Sequence, residues 1–423
     1  MKKPLSEALM VRRLYWTSFA LRFAVGLLAW LLTEYAELPL MEDGKFYSEA
    51  AAEVAQEWVN DQESTWLVQA RANPRMPWLM IYTLAAFYWL TGGVEVVPLA
   101  VGLYSLLTAF TPVLAYRAGR RLGVPADGAL AGARLVAYSP AFAFWSSALY
   151  KEGLILLVLY FVIDHTLRLQ QGFRPASVVI LGFSLLALFG LRFYIAGILS
   201  IALLAGLVLG RGQKGAARGD PVVLRQAFVL VLLLSVASLL GLQDRVGELL
   251  SRDVTENLEY INSTRQALAQ TDSGYLHDAN VSNTEDAIRF LPIGLVYFLT
   301  VPLPWQWGSF RQNLAIPETL FWIVLIYPRV VIGIRRGASR NPQGILFLLL
   351  AAVAISCLYA LFMGNIGTTY RVRIQIWAIF ALFAGWGFSS SSSPVPGRRP
   401  AALQRASPSG PPSEALPAAV TGD

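Results

Sequence analysis

The sequence predicts an all-α, polytopic bundle of about 10–12 membrane helices, and three observations carry that prediction. Of the 423 residues, 55% are hydrophobic and only 14% are charged, against roughly 25% charge in a soluble domain. Apolar runs recur along the chain, several reaching the ~20 residues a helix needs to cross a bilayer. Lys and Arg gather in the short segments between those runs, as orientation in a membrane requires. That clustering accounts for the net charge of +7 and leaves no case for a nucleic-acid partner. The one cysteine, Cys357, lies in an apolar run and cannot form an internal disulfide, so cysteine usage is silent about the redox compartment.

The first run, 14–33, follows Lys2, Lys3, Arg12 and Arg13. Its length, and the lack of a small-residue cleavage site after it, read as an uncleaved span rather than a signal peptide. Loop 34–76 carries "MEDGKFYSEAAAEVAQEW", residues 41–58. Over 46–58 the pattern is amphipathic: Tyr47, Ala50, Ala51, Val54 and Trp58 share one helical face and Glu49, Glu53 and Glu57 the other. Such a helix is expected to lie flat at the membrane interface, with Asp43 just ahead of it near an N-cap position. Runs 77–92 and 290–304 are short and contain or adjoin Pro77, Pro292, Pro302 and Pro304. They read as half-spans packed inside protein, where broken backbone can be satisfied. The remaining runs fall at 95–116, 127–148, 153–169, 176–190, 193–210, 226–243, 317–334, 343–363 and 374–388. After Phe388 the chain turns to Ser, Pro, Gly and Ala, so the prediction is a membrane domain over 1–388 and a disordered cytoplasmic tail over 389–423.

Orientation follows from the basic loops. Loop 211–225, with Arg211, Lys214, Arg218 and Arg225, is the surest cytoplasmic segment. Working outward from it places Arg117, Arg120 and Arg121 inside, together with Arg329, Arg335, Arg336 and Arg340. The opposite face then receives loop 34–76, the Lys151–Glu152 step, Arg192 to Tyr194, the long loop 244–289, Trp305 to Arg311, and Gly364 to Arg373. Charges at a membrane edge are expensive and usually functional. The candidate site residues are therefore Glu42, Asp43, Lys151, Glu152, Arg192, Tyr194, Arg311, Tyr370, Arg371 and Arg373. Blander roles stand beside each: an Asp caps a helix, a Lys snorkels, an Arg anchors an interface, a Glu stripe faces water. Arg371 and Arg373 fit those roles least, because Arg in an outer loop opposes the positive-inside bias. Loop 244–289 is long enough to act as a lid. His165 and His277, the only histidines, have no partners at metal-ligand spacing. No Ser-His-acid pattern and no Gly-rich phosphate loop after a strand is present.

Several stretches together resemble a family. A first span, an outer loop with acids, "RMPWLMIYTLAAFYWLTGG" and then "YRAGRRLG" are similar to the amino-terminal half of integral membrane glycosyltransferases of the GT-C fold, related to the dolichyl-phosphate-mannose protein mannosyltransferases. "WSSALYKEG" and "GTTYRVRIQIWAIFALFAGWG" are similar to segments of bacterial members. The resemblance covers most of 10–388. Its implication is transfer of a sugar from a polyprenyl-phosphate carrier to an extracytoplasmic glycan, lipid or protein, by a multi-pass protein of the bacterial plasma membrane with its site facing outward. Asp43 matches the acid that acts as general base in that family. Gly44 stands where a second acid is usual, and Glu42 precedes instead.

The implied step is a single inverting displacement. Asp43 takes the proton of the acceptor hydroxyl, while Lys151, Arg192, Arg371 or Arg373 neutralises the departing lipid phosphate. No cofactor is required, and a divalent cation is compatible with the acids. Two other readings fit the sequence less closely. One is an envelope polysaccharide polymerase or ligase acting on lipid-diphosphate-linked glycans, which needs no acid in the first outer loop. The other is a lipid-linked sugar flippase or transporter, which needs a polar path; Arg22, Arg134 and Asp164 are the main charges inside apolar runs, and only Arg22 is near mid-run.

Overall fold

Many of the helices begin where the sequence places a side-chain cap or a Pro at the start of an apolar run. A computed structural model describes residues 6–62, 77–172, 174–209 and 254–390. Helix α1 (Glu7–Tyr35) starts at Ser6, whose hydroxyl accepts from the Leu9 amide. Its 29 residues span about 43 Å. The chain then turns into α2 (Glu42–Val59), α3 (Trp78–Trp89), α4 (Val97–Thr108) and α5 (Phe110–Leu122). Among the described residues there is no strand; one isolated bridge joins Gly274 to Asn365.

Five described stretches are long and apolar enough to cross a membrane: Glu7–Tyr35, Val97–Leu122, Pro175–Gly206, Arg311–Ala338 and Pro342–Phe362. Other predicted spans differ in a way the sequence explains. Run 127–148 is interrupted by Pro140 and becomes α6 (Ala126–Tyr138) and the short α7 (Pro140–Trp145). Run 153–169 is α8 (Lys151–Gln171), which carries Glu152 and Asp164. Runs 176–190 and 193–210 lie in α9 (Pro175–Leu209), broken at Arg192 by extended backbone with φ −163° and ψ 85°. Run 226–243, loop 211–225 and the tail from 391 lie outside the described residues.

The second half contains α10 (Val254–Ala269), α11 (Thr284–Thr300), α12 (Phe310–Phe321), a π-helical turn (Trp322–Ile326), α13 (Tyr327–Ala338), α14 (Pro342–Phe362) and α15 (Ile366–Phe388). Loop 244–289 is thus partly helical. The short run 77–92 holds the 12-residue α3, and α11 passes through Pro292 before ending at Thr300. The centre of the bundle is lined by fully buried aromatics, with the Trp322 and Trp377 rings stacked 4.3 Å apart.

Two local predictions are corrected. The helix expected over 46–58 begins at Glu42, so Asp43 is in its first turn and is not its cap; the cap position is Met41, which makes no side-chain cap bond. Negative side chains in a first turn are favoured by the helix dipole, and that suffices to extend the helix. The apolar face of α2 is also covered by protein. Tyr47, Ala50, Ala51 and Val54 are buried, and Trp58 stacks on Tyr82 of α3 with ring centroids 5.8 Å apart. Segment 364–377, expected as a short outer loop, is helical from Ile366. Asn365 caps it by accepting from the Thr368 amide at 2.9 Å.

Candidate functional site

The site is assembled from four elements that the chain brings together from far apart. The first is the amino-terminal turn of α2, which carries Glu42 and Asp43. Gly44 lets it approach the segment before α8: a Cβ there would lie 2.5 Å from the Ala148 carbonyl oxygen. The Tyr150 hydroxyl donates to the Leu40 carbonyl at 3.0 Å and ties the two segments together.

The second element is the turn from Ser146 to Tyr150 and the start of α8. Leu149 is buried with φ +55°, a left-handed conformation that costs a non-glycine residue about 1–2 kcal/mol. Strain of this sort is tolerated where neighbours over-determine the backbone. Here Tyr104 donates to the Tyr150 carbonyl and accepts from the Leu154 amide at 3.2 Å. The turn fixes where Lys151 and Glu152 emerge.

The third element is the break in α9. Extended backbone at Arg192 turns its guanidinium inward, where it donates to Glu152 Oε1 at 3.0 Å and to the Tyr359 hydroxyl at 2.7 Å. Tyr359 in turn donates to Gln375 Oε1 at 3.0 Å. The Tyr194 ring flanks the guanidinium, 5.8 Å from its centre.

The fourth element is the start of α15. Arg371 reaches Asp43 Oδ2 at 2.5 Å. Its Nε lies 3.4 Å from Glu152 Oε1, an ion pair without hydrogen-bond alignment. The guanidinium is packed among the Trp145 and Tyr150 rings, at 5.9 and 5.7 Å. The α15 start is anchored to segment 271–275: Tyr275 donates to the Gly364 carbonyl, Ile366 to the Ser273 carbonyl, and the Asn365 amide side chain to Thr271 and Ser273.

Asp43, Arg371, Glu152 and Arg192 therefore form one connected chain, with Lys151 beside it. Glu152 is fully buried and its Oε2 has no partner. Burial alone would raise the Glu152 carboxyl; Arg371, Arg192 and Lys151 outweigh that and hold it below its ordinary range. Lys151 is half-buried and, among the described residues, makes no ion pair. Burial, then the Arg192 charge, lower its ammonium to about 8. The Tyr47 hydroxyl is pushed up by burial and then by Glu152 and Asp43, so it borders the same charges. Asp43 keeps 39% of its side chain exposed, so the chain of charges opens to the surface at that residue. At the rim, Arg311 pairs with Glu42 at 3.6 Å. Trp305 and Trp307, nearby in sequence, are strongly exposed.

Tyr370 and Arg373 are the exceptions among the sequence candidates. Positions two apart on a helix point about 200° apart, so with Arg371 facing Asp43, Arg373 faces the core. It is fully buried, donates to the Val301 carbonyl and lies 4.8 Å from the Trp377 ring. Tyr370 donates to Glu318, which also accepts from the Ser139 hydroxyl and from the Ala141 amide at 2.9 Å. Tyr370 joins α15 to α12 and α7, Arg373 joins it to the end of α11, and neither reaches the Asp43 cluster.

Sequence reasoning missed Tyr47, Trp145, Tyr150, Tyr359 and Gln375 at the cluster, and Glu318 beside it. The aromatics are indistinguishable from core residues by pattern. Glu318 and Gln375 were detectable, because each is a polar residue inside an otherwise apolar run. Among the described residues, no three His, Cys, Asp or Glu side chains gather as metal ligands would. No protein-family model matches this chain, and no curated protein matches it.

Proposed function

We propose that this protein transfers a sugar from a polyprenyl-phosphate carrier to an acceptor hydroxyl at the Asp43 end of the bundle, by one inverting displacement. The observation that carries the reading is the half-exposed carboxylate of Asp43, 2.5 Å from Arg371, beside a buried group with more positive than negative charge. Arg371, Arg192 and Lys151 face Asp43 and Glu152, leaving one positive charge over. A lipid phosphate supplies the missing negative charge, and among the described residues Lys151 has no ion pair of its own. Asp43 accepts the proton of the attacking hydroxyl. Arg371 and Lys151 stabilise the phosphate as the glycosidic bond to it breaks. Fixed cations in a site poor in water act strongly on such developing charge. Glu152 touches neither reactant in this scheme; it holds Arg371 and Arg192 in place.

The test uses purified full-length protein in lipid nanodiscs. It is given radiolabelled polyprenyl-phosphate hexoses or pentoses together with envelope extract as acceptor. Label should move from the lipid into a larger product with one of these donors and not with nucleotide sugars. Failure to consume any lipid-phosphate sugar, alongside turnover of a lipid diphosphate glycan, would replace this reading with polymerisation or ligation. Transport is less favoured by the structure around Arg22. Its guanidinium donates to Ser146 Oγ at 2.8 Å, to the Val136 and Ala137 carbonyls and to Ser18. Those bonds join α1 to the α6–α7 break instead of lining a path.

A further inference from the structure

A groove that the proposed transfer does not use lies between α1 and α5, at the far end of α1 from Asp43. It encloses about 460 Å³. Helices α4 and α5 run antiparallel to α1 here: Glu7 accepts from the Tyr116 hydroxyl of α5 at 2.7 Å, and Tyr15 donates to the Leu106 carbonyl of α4 at 3.1 Å. Val11, Tyr15, Phe110 and Val113 make the walls apolar, while Arg12 and Arg117 supply the cationic groups of its lining. Trp16 is exposed one turn inside Arg12, about 6 Å deeper along the axis. An exposed Trp one turn below an Arg, on a membrane-length helix, marks the headgroup level.

Three arginines near this end are engaged. Arg121 and Arg168 both pair with Asp164, and Arg120 donates to the Val124 carbonyl at 3.0 Å. Among the described residues, Arg12 and Arg117 make no ion pair, and the one acid of the groove, Glu7, is already bound by Tyr116. Two free guanidinium groups at the headgroup level, above an apolar slot facing the acyl region, complement an anionic phospholipid. We propose that this groove binds one such lipid, its phosphate at Arg12 and Arg117 and an acyl chain along Val11, Phe110 and Val113. The site is independent of the transfer reaction.

Native mass spectrometry of the full-length protein tests this, with phosphatidylglycerol and phosphatidylcholine of identical acyl chains supplied in equal amounts. Phosphatidylglycerol should survive as a bound adduct about tenfold more than phosphatidylcholine. The R12Q/R117Q double variant should bring that ratio close to one, and R289Q, which removes an exposed arginine of α11 outside both sites, should leave it as in wild type. Excess inorganic phosphate should not displace the bound lipid. Equal retention of the two lipids by wild type would overturn the proposal, as would displacement by phosphate or an unchanged ratio in the double variant. Should the double variant fail to fold, the wild-type ratio and the phosphate competition still decide.

Discussion

Helix α8 carries two acid–arginine clusters, one near each end, and they differ in a way that separates architecture from chemistry. Asp164 pairs with Arg168 one turn on, at 3.2 Å, and with Arg121 of the adjacent α5. Both arginines keep about a quarter of their side chains exposed, and among the described residues no ion pair there connects further. Glu152, twelve residues earlier in α8, pairs with Arg192 of α9 and Arg371 of α15, and through Arg371 with Asp43 of α2. That cluster is assembled from distant parts of the chain. Among the described residues it retains an unpartnered carboxylate oxygen and a lysine without an ion pair. Counting charges would rank the two ends alike. Of these two α8 clusters, the one at Glu152 alone is assembled from four separate segments and reaches a half-exposed carboxylate, Asp43, and it is the one to which we assign the proposed transfer.

The sharpest way to break this contrast is D43N. Loss of a general base lowers turnover by about 10²–10⁴-fold. Sugar transfer should fall by that factor in D43N and stay at the wild-type rate in D164N. Next comes the pair E152Q and D164N in thermal unfolding. Removing one partner of a buried ion pair costs about 3–5 kcal/mol, and E152Q leaves the buried Arg192 without its acid. D164N exposes its arginines to water and should lose only the charged hydrogen bonds, about 1.5–3 kcal/mol. Equal losses would erase the difference in burial on which the contrast rests.

Gly44→Ala probes positioning. Its Cβ must displace α2 from the Ala148 carbonyl, and a shift of about 1 Å at a reacting group costs on the order of 10²-fold in rate. A smaller effect is expected of pH. Lys151 carries its positive charge below about 8 and loses it above, so the donor KM should rise as pH passes that value. K151R, always charged, should flatten the rise, and an identical profile in K151R would remove Lys151 from phosphate binding. The smallest effect belongs to the exposed Glu42–Arg311 pair at the rim. Such pairs are worth about 0–1 kcal/mol, so E42Q should change stability by no more than that in the same melts.

The sequence revealed the membrane-helix architecture through composition and the spacing of its apolar runs, and most cluster residues because charge is conspicuous in such a chain. Asp43, Lys151, Glu152, Arg192 and Arg371 all stood out as charges at run edges. Their partnership did not, since it depends on a turn with Leu149 in left-handed backbone and on the break at Arg192, neither of which periodicity reports. Tyr370 and Arg373 misled because a segment read as loop gives no phase. Once Asn365 starts a helix there, alternate residues take opposite sides. Tyr359 was hidden for the reverse reason: in an apolar run, a tyrosine that supports an arginine looks like core.

The most direct test of the central claim separates binding from transfer at residue 43. Polyprenyl-phosphate sugar binding and sugar release are measured side by side on wild-type and D43N protein in nanodiscs. If the carboxylate acts on the acceptor and the cations hold the donor, D43N binds the donor at least as well as wild type and transfers about 10²–10⁴-fold more slowly. Wild-type transfer by D43N would contradict the account.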